Sequence, residues 1–142
     1  MPTFRHGKNS YFQLDNAAGA LVDISNVLSD IAWPRTVETG ETTSFGQQAK
    51  TYIIGLSDST VSCSGKFDAT VDAHLLALIA ALQAETLASA SVVYGPEGST
   101  SGRIKYTAEA VVTKYEVSAP VGDVVTFSLE LQISGAVTRT TF

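Results

Sequence analysis

The sequence predicts a mainly β fold, a β-sandwich or half-barrel of about seven or eight antiparallel strands flanked by one α-helix over about 70–84. Three observations predict it. Residues 121–135, VGDVVTFSLELQISG, alternate almost without fault: Val125, Phe127, Leu129, Leu131 and Ile133 fall on one side, and Thr126, Ser128, Glu130, Gln132 and Ser134 on the other. That period of two is the pattern of a half-buried strand. Shorter stretches with the same period recur upstream, separated by segments rich in Gly, Ser and Pro. Only DATVDAHLLALIAALQAE (68–85) changes period, with Leu75, Leu78, Ile79 and Leu82 forming one helical stripe.

The elements follow in order. The arm 1–9 is basic, with Arg5, His6 and Lys8. SYFQLDNAAGALVDIS (10–25) reads as a hairpin, Phe12 and Leu14 alternating before Ala18-Gly19 and Val22 and Ile24 after. SDIAWPRTVE continues with Ile31, Trp33 and Val37 in period two. Pro34 lacks a ladder donor, which makes this an edge or bulged strand. TGETTSFGQQAK (39–50), with two Gly and several Thr, reads as a long loop, and loops near a dozen residues usually carry function or disorder. TYIIGL and STVSCSGKF supply two strands, the second with Val61, Cys63, Gly65 and Phe67 on one face.

Asp68, Thr70 and Asp72 crowd the helix start, where a cap and the helix dipole favour them. SASVVYG is a short strand and PEGSTSG a turn. RIKYTAEAVVTKYEVS (103–118) alternates through Ile104, Tyr106, Ala108, Ala110 and Val112, then changes phase to Tyr115 and Val117. An extra residue near 113–114 explains the change. APVG turns the chain back into the last strand. With Tyr115 opposite Val125, Val112 meets Phe127, Ala110 meets Leu129, Ala108 meets Leu131 and Tyr106 meets Ile133. The same register sets Glu109 opposite Glu130, a mildly destabilising pair of like charges.

Composition bounds the function. The 142 residues suit one domain, 1–142, and 44% hydrophobic with 16% charged content opposes disorder. A net charge of −5 lacks the basic stripe that displaces counterions from nucleic acid. Cys63 is the single cysteine, so no internal disulfide forms. No stretch reaches the roughly 18 apolar residues of a membrane span. MPTFRHGKNSYF lacks the apolar core of a signal peptide. The expectation is a soluble protein folded in a cytoplasm, away from membranes.

Chemistry is hard to find. His6 and His74 lie far apart, and with one cysteine they do not make zinc-ligand spacing. Cys63 alternates with Val61 and Phe67 and reads as a buried structural thiol. Neither G-x-S-x-G nor a phosphate loop is present. Neither catalysis nor a metal or other cofactor is expected.

Several stretches taken together resemble phage major tail tube proteins of long-tailed phages. They are LVDISNVLSDIAWP, ETTSFG, YIIGLSDSTVSCSGKFD, DAHLLALIAAL and YEVSAPVGDVVTFSLELQISGAVT, which cover most of the chain in the order such proteins show. The resemblance implies relation to the inner tubes of contractile injection systems and type VI secretion. It also implies hexameric rings that stack into a hollow virion tail tube, assembled in the host cytoplasm. Tape-measure protein would fill the lumen first, and DNA would pass later without specific binding. Other partners would be tail-tip or distal tail and terminator proteins.

On that resemblance the polar strand faces become lumen candidates: Thr107, Glu109, Thr126, Ser128, Glu130 and Gln132. An acidic wall there would repel a phosphate backbone, which gives the Glu109–Glu130 pair a purpose. Thr39, Gly40, Glu41, Thr42, Thr43, Ser44, Phe45 and Gly46 become inter-ring contacts. Arg5, His6 and Lys8 would meet acidic surface on a neighbour. The alternatives left open are another ring-forming tail component (a terminator or distal tail protein) and a ligand-binding β-barrel or sandwich.

Overall fold

A computed structural model describes residues 2–142. Among them lie nine strands and one α-helix: β1 (Tyr11–Asp15), β2 (Leu21–Asp23), β3 (Leu28–Ala32), β4 (Thr36–Glu41), β5 (Tyr52–Asp58), β6 (Thr60–Lys66), α1 (Ala69–Gln83), β7 (Ala90–Gly95), β8 (Ile104–Ser118) and β9 (Thr126–Thr141). Seven strands form one antiparallel sheet in the order β2-β1-β7-β8-β9-β6-β3, and β4 and β5 form a separate hairpin. The mainly β architecture with one flanking helix is as expected from the sequence.

Local chemistry sets the boundaries. Asn16 closes the β1–β2 turn by accepting on Oδ1 from the N–H groups of Ala18 and Ala20, at 2.9 and 3.0 Å. Gly19 there adopts φ +82°, a conformation that costs glycine little. Asp68 caps α1 by accepting from Val71 N–H at 3.3 Å, as the run of short polar residues predicted. Pro34 divides the stretch read as one strand: β3 ends at Ala32 and β4 begins at Thr36.

The core lies between α1 and one face of the sheet. Leu75 and Leu78 of the helix are fully buried with Phe127, Leu129, Leu131 and Ile133 of β9, Val61 and Cys63 of β6, Val92 of β7 and Phe12 and Leu14 of β1. Tyr115 ties helix to sheet through a 2.7 Å hydrogen bond from its hydroxyl to Asp72 Oδ1. Burial, with the Asp72 carboxylate beside it, raises that phenol's pKa. Beyond the helix, Trp33, Tyr94 and Tyr106 continue the apolar layer with ring centroids 6.1–6.4 Å apart. The Arg35 guanidinium stands 4.9 Å over the Tyr106 ring.

The long loop expected at 39–50 is present but shorter at its start. Residues 39–41 belong to β4, pairing Thr39 with Ile54, Gly40 with Ile53 and Glu41 with Tyr52. Residues 42–51 then connect β4 to β5 without regular strand, so the Gly- and Thr-rich segment is the loop of a two-stranded hairpin.

The β8–β9 register is corrected. Tyr115 faces Leu129, Val112 faces Leu131 and Ala110 faces Ile133, four residues on from the expected partners. The cause is the connection: Ser118 pairs with Thr126, so the turn holds residues 119–125 and not a tight APVG reversal. An even displacement keeps every side chain on its predicted face. The expected bulge is present between Val112 and Lys114. A second irregularity lies opposite Thr107–Glu109, where β9 passes Gly135 at φ +91°, and it brings Tyr106 to Arg139 instead of Ile133. Glu109 consequently faces Ser134, and Glu130 faces Lys114. The Glu109–Glu130 juxtaposition does not form.

Candidate assembly surfaces

Two surfaces stand out because the core does not use them: the sheet face opposite α1, and the β4–β5 hairpin. The sheet face is built by alternation. Phe127, Leu129, Leu131 and Ile133 point into the core, which leaves Thr126, Ser128, Glu130 and Gln132 on the far side. Across the ladders those four meet Lys66, Ser64, Ser62 and Thr60 of β6. On the β8 side they meet Ser118, Glu116, Lys114 and Val111. Thr107 pairs with Thr138 and Glu109 with Ser134, so all six lumen candidates share one face.

That face is hydroxyl-rich and mixed in charge. Glu109 is held by two serines of the neighbouring segment, accepting from Ser89 Oγ at 3.0 Å and Ser91 Oγ at 2.8 Å. Lys114 forms a 3.3 Å ion pair with Glu116. Lys114 stands opposite Glu130, and Lys66 stands opposite Thr126 at the start of β9. The acidic wall expected from the sequence is therefore broken by lysines on the same face. Gln132 is half-buried, its amide engaged by Asp58 and Ser59.

The hairpin is the opposite kind of surface. Ile54 and Leu56 are 77% and 79% exposed, Ile53 and Tyr52 more than half exposed, and Phe45 at the tip lies fully open. Strands β4 and β5 pair with each other and make no comparable contact with another element. A lone two-stranded hairpin is marginal in water, and an apolar one exposes area that a partner would cover. The threonines have a local task here. Thr42 N–H donates to Thr51 O at 2.8 Å, their hydroxyls meet at 2.8 Å, and Thr51 N–H donates to Thr43 Oγ1 at 3.0 Å. Ser44 N–H donates to Gln47 Oε1 at 2.7 Å. Of the residues expected at inter-ring contacts, Thr39, Gly40 and Glu41 lie in β4, and Thr42, Thr43, Ser44, Phe45 and Gly46 form the tip.

The sequence reading missed the apolar half of this surface. Tyr52, Ile53, Ile54 and Leu56 form a nearly continuous apolar run, which from sequence is indistinguishable from a strand buried on both faces. A third exposed apolar patch, Val121, Val124 and Val125, sits in the β8–β9 connection. The basic arm lies apart from the hairpin's chemistry: Arg5 is 3.9 Å from Glu97 of the same chain, and His6 Nδ1 accepts from Lys8 N–H at 3.1 Å. Met1 of that arm lies outside the described residues.

The grooves on the described surface do not resemble an aromatic ligand cage. One of about 510 Å³ runs between the hairpin root and β9, lined by Val37, Leu56, Ile133, Ala136 and Val137 with Arg35 and Asp58 at its rim. It is open to solvent, and no aromatic ring lines it.

Known proteins share this arrangement of strands and helix. The sequence pattern of a family described as phage tail tube protein matches residues 26–139. No curated protein matches the chain by sequence. Among solved structures, a chain from the tail of an empty gene transfer agent particle, refined with C6 symmetry, superposes with a TM-score of 0.74 at 17% identity, covering 97% of this chain and 100% of that one. The SPP1 tail tube superposes with a TM-score of 0.69 at 11% identity, covering 97% of this chain and 80% of that one. A chain from the extended sheath–tube complex of the extracellular contractile injection system PVC gives 0.66 at 13% identity, covering 100% and 92%.

Proposed function

This chain belongs to the phage tail tube protein family, and from that premise we propose how its surfaces build the tube. The protein is a structural subunit of a phage tail. Six copies close into a ring, and rings stack along the tail axis. The observation that carries this reading is the apolar hairpin, which extends from the sheet with Ile54 and Leu56 exposed and, among the described residues, no element packed along it comparably to its own pairing.

Ring closure follows from the sheet. Strands tilted around an axis enclose a lumen whose width grows with strand number, so a wide tube needs sheets from several subunits. With α1 covering one face, the hydroxyl-rich face is the one available to a water-filled lumen. Thr107, Glu109, Thr126, Ser128, Glu130 and Gln132 lie on that face. Its interleaved lysines and glutamates give a phosphate backbone no basic track to follow, which suits passage of DNA without specific binding. The tape-measure protein would occupy the same lumen before DNA does. Tail-tip and terminator proteins would meet the two ends of the stack. The role is structural, without catalysis.

The end of β4 and the hairpin tip, Thr39 to Gly46, meet the adjacent ring, and Arg5, His6 and Lys8 lie at the subunit surface as a second contact. Negative-stain electron microscopy across a concentration series, beside a variant with 41–46 replaced by a short Gly-Ser link, tests the reading. Hollow tubes with an axial repeat from the parent, and folded but unassembled subunits from the variant, are expected. Normal tubes from the variant would remove the hairpin from the account. Single rings that never stack would point to a terminator or distal tail protein.

A further inference from the structure

The root of the hairpin is held by one polar cluster that reaches into the main sheet. Asp58, the last residue of β5, accepts on Oδ1 from Gln132 Nε2 at 2.6 Å and from Ser59 N–H at 2.8 Å. Gln132 Nε2 also donates to Ser59 O at 3.1 Å, while Gln132 Oε1 accepts from Thr60 Oγ1 at 3.0 Å. The two legs are tied to each other as well. Thr36 Oγ1 donates to Asp58 O at 2.7 Å, and Ser59 Oγ donates to Pro34 O at 2.6 Å. Ser59 is buried, and its N–H, carbonyl and hydroxyl all have partners, the carbonyl also accepting from Ile133 N–H at 3.1 Å.

Little else can fix the hairpin's direction. Among the described residues its strands make no contact with another element comparable to their own pairing, so the short links at 33–35 and 58–59 carry much of its angle to the sheet. Gln132 is the bridging group from the sheet side, since its side chain spans from β9 across β6 to the end of β5. A Gln on the hydroxyl-rich face is otherwise just another polar residue. Here both ends of its amide find partners at the hinge, the oxygen as acceptor and the nitrogen as donor.

We propose that Gln132 and Asp58 form a positioning clamp that sets the angle of the β4–β5 hairpin, and so presets the free subunit for docking onto a second copy of this chain. The inference rests on the reading of the hairpin as an assembly contact. The clamp holds the hinge in one arrangement before assembly, so less ordering remains to be done when subunits meet. Two residues that belong to different surfaces are thereby coupled: a change on the lumen-side face at Gln132 alters contacts made by the hairpin.

Nitroxide labels at Gln47→Cys in the hairpin tip and Ser99→Cys in the β7–β8 turn, both exposed positions, report the angle by pulsed electron paramagnetic resonance on the full chain. Cys63 is buried, its thiol pushed up to about 12, and stays unlabelled in the folded protein. Gln132→Ala and Asp58→Ala are each expected to widen the distance distribution about two-fold at a hinge freed of its constraint. The double variant should be no wider than the worse single, because both remove the same bond. Asp58→Asn keeps the acceptor oxygen and should match the parent, which a purely electrostatic role would not allow. In sedimentation assays seeded with tube fragments, the loosened variants should need about ten-fold more protein to elongate, with melting temperatures unchanged. An unchanged distance distribution would overturn the clamp. Broadening with undiminished elongation would overturn its link to assembly. Normal elongation of the 41–46 replacement would instead overturn the underlying reading of the hairpin.

Discussion

Glu130 of β9 stands directly across the ladder from Lys114 of β8, just past the bulge that shifts β8 out of its earlier phase. Without that bulge, the residue opposite Glu130 would be Thr113, whose hydroxyl instead donates to the Glu130 carbonyl at 3.2 Å. The bulge therefore selects which side chain neutralises the middle of the hydroxyl-rich face. Reversing the charge with Lys114→Glu places three acids, residues 114, 116 and 130, within one cross-strand neighbourhood. Exposed cross-strand charges are worth about 0.2–1 kcal/mol each. Thermal melting should show a loss of roughly 1 kcal/mol that shrinks as salt is raised. A loss insensitive to salt would assign the effect to packing.

Cys63 predicts sensitivity to base. Burial, with Asp30 nearby, pushes its thiol up to about 12 from an ordinary value of 9.0. In the unfolded chain the thiol ionises near 9, and in the folded chain it stays neutral up to about 12. The stabilisation is thus fully present below pH 9 and is lost as pH rises towards 12, at about 1.4 kcal/mol per unit. Denaturant unfolding of parent and Cys63→Ala between about pH 8 and 11, a window set by that ionisation, checks the sign: the parent should lose more stability across it. Parallel curves would place the base sensitivity elsewhere, and Tyr115, raised in the same direction, is the next candidate.

Gly65 marks a close approach. The backbone of Val27 and Leu28 crosses directly over it, so that an added Cβ would collide with the Val27 carbonyl oxygen. The neighbour is backbone at the start of β3, which cannot swing aside as a side chain would. Gly65→Ala should destabilise the subunit by about 3 kcal/mol, the upper part of the usual range for overpacking. Strand β3 should also detach locally, visible as faster exchange of the β3 amides that face β6. Unchanged exchange there would mean that the crossing relaxes freely.

The same residues show what a sequence makes legible. Val125 to Ser134 alternate so strictly that the core face of β9 followed from periodicity, and the phase change before Tyr115 marked the bulge correctly. Asp68 announced the start of α1. The partner of each strand residue was harder, because register depends on the length of the turn at 119–125. Alternation is indifferent to a displacement of four. The hairpin was hardest. Thr42 to Lys50 read as a loop and are one; what the sequence hid is that Thr39 to Glu41 before them already pair with β5. Tyr52 to Leu56 look buried because apolar runs usually are. An exposed apolar run carries no local mark in the sequence that separates it from core.

That exposure supplies the last prediction. Ile54 and Leu56 stand at the bulge of β5, where Gly55 and Leu56 oppose the single residue Glu38 of β4, and both are more than three-quarters solvent-exposed. Replacing both with Ser removes apolar area that the isolated subunit does not bury. Subunit stability should therefore change by no more than about 0.5 kcal/mol, as for ordinary surface sites. In a tube the two side chains would be covered, and burying an aliphatic side chain is worth about 1.5–3 kcal/mol. Losing two should raise the concentration needed for assembly by about two orders of magnitude or more, scored by pelleting and electron microscopy. Ser57→Asn, a polar position of the same strand that removes no apolar area, serves as the control and should assemble normally. If the Ile54/Leu56 double variant formed tubes at the parent's concentration, these two side chains would lie open in the assembled tail. Ile53, paired with Gly40 of β4, would then be the next residue to replace.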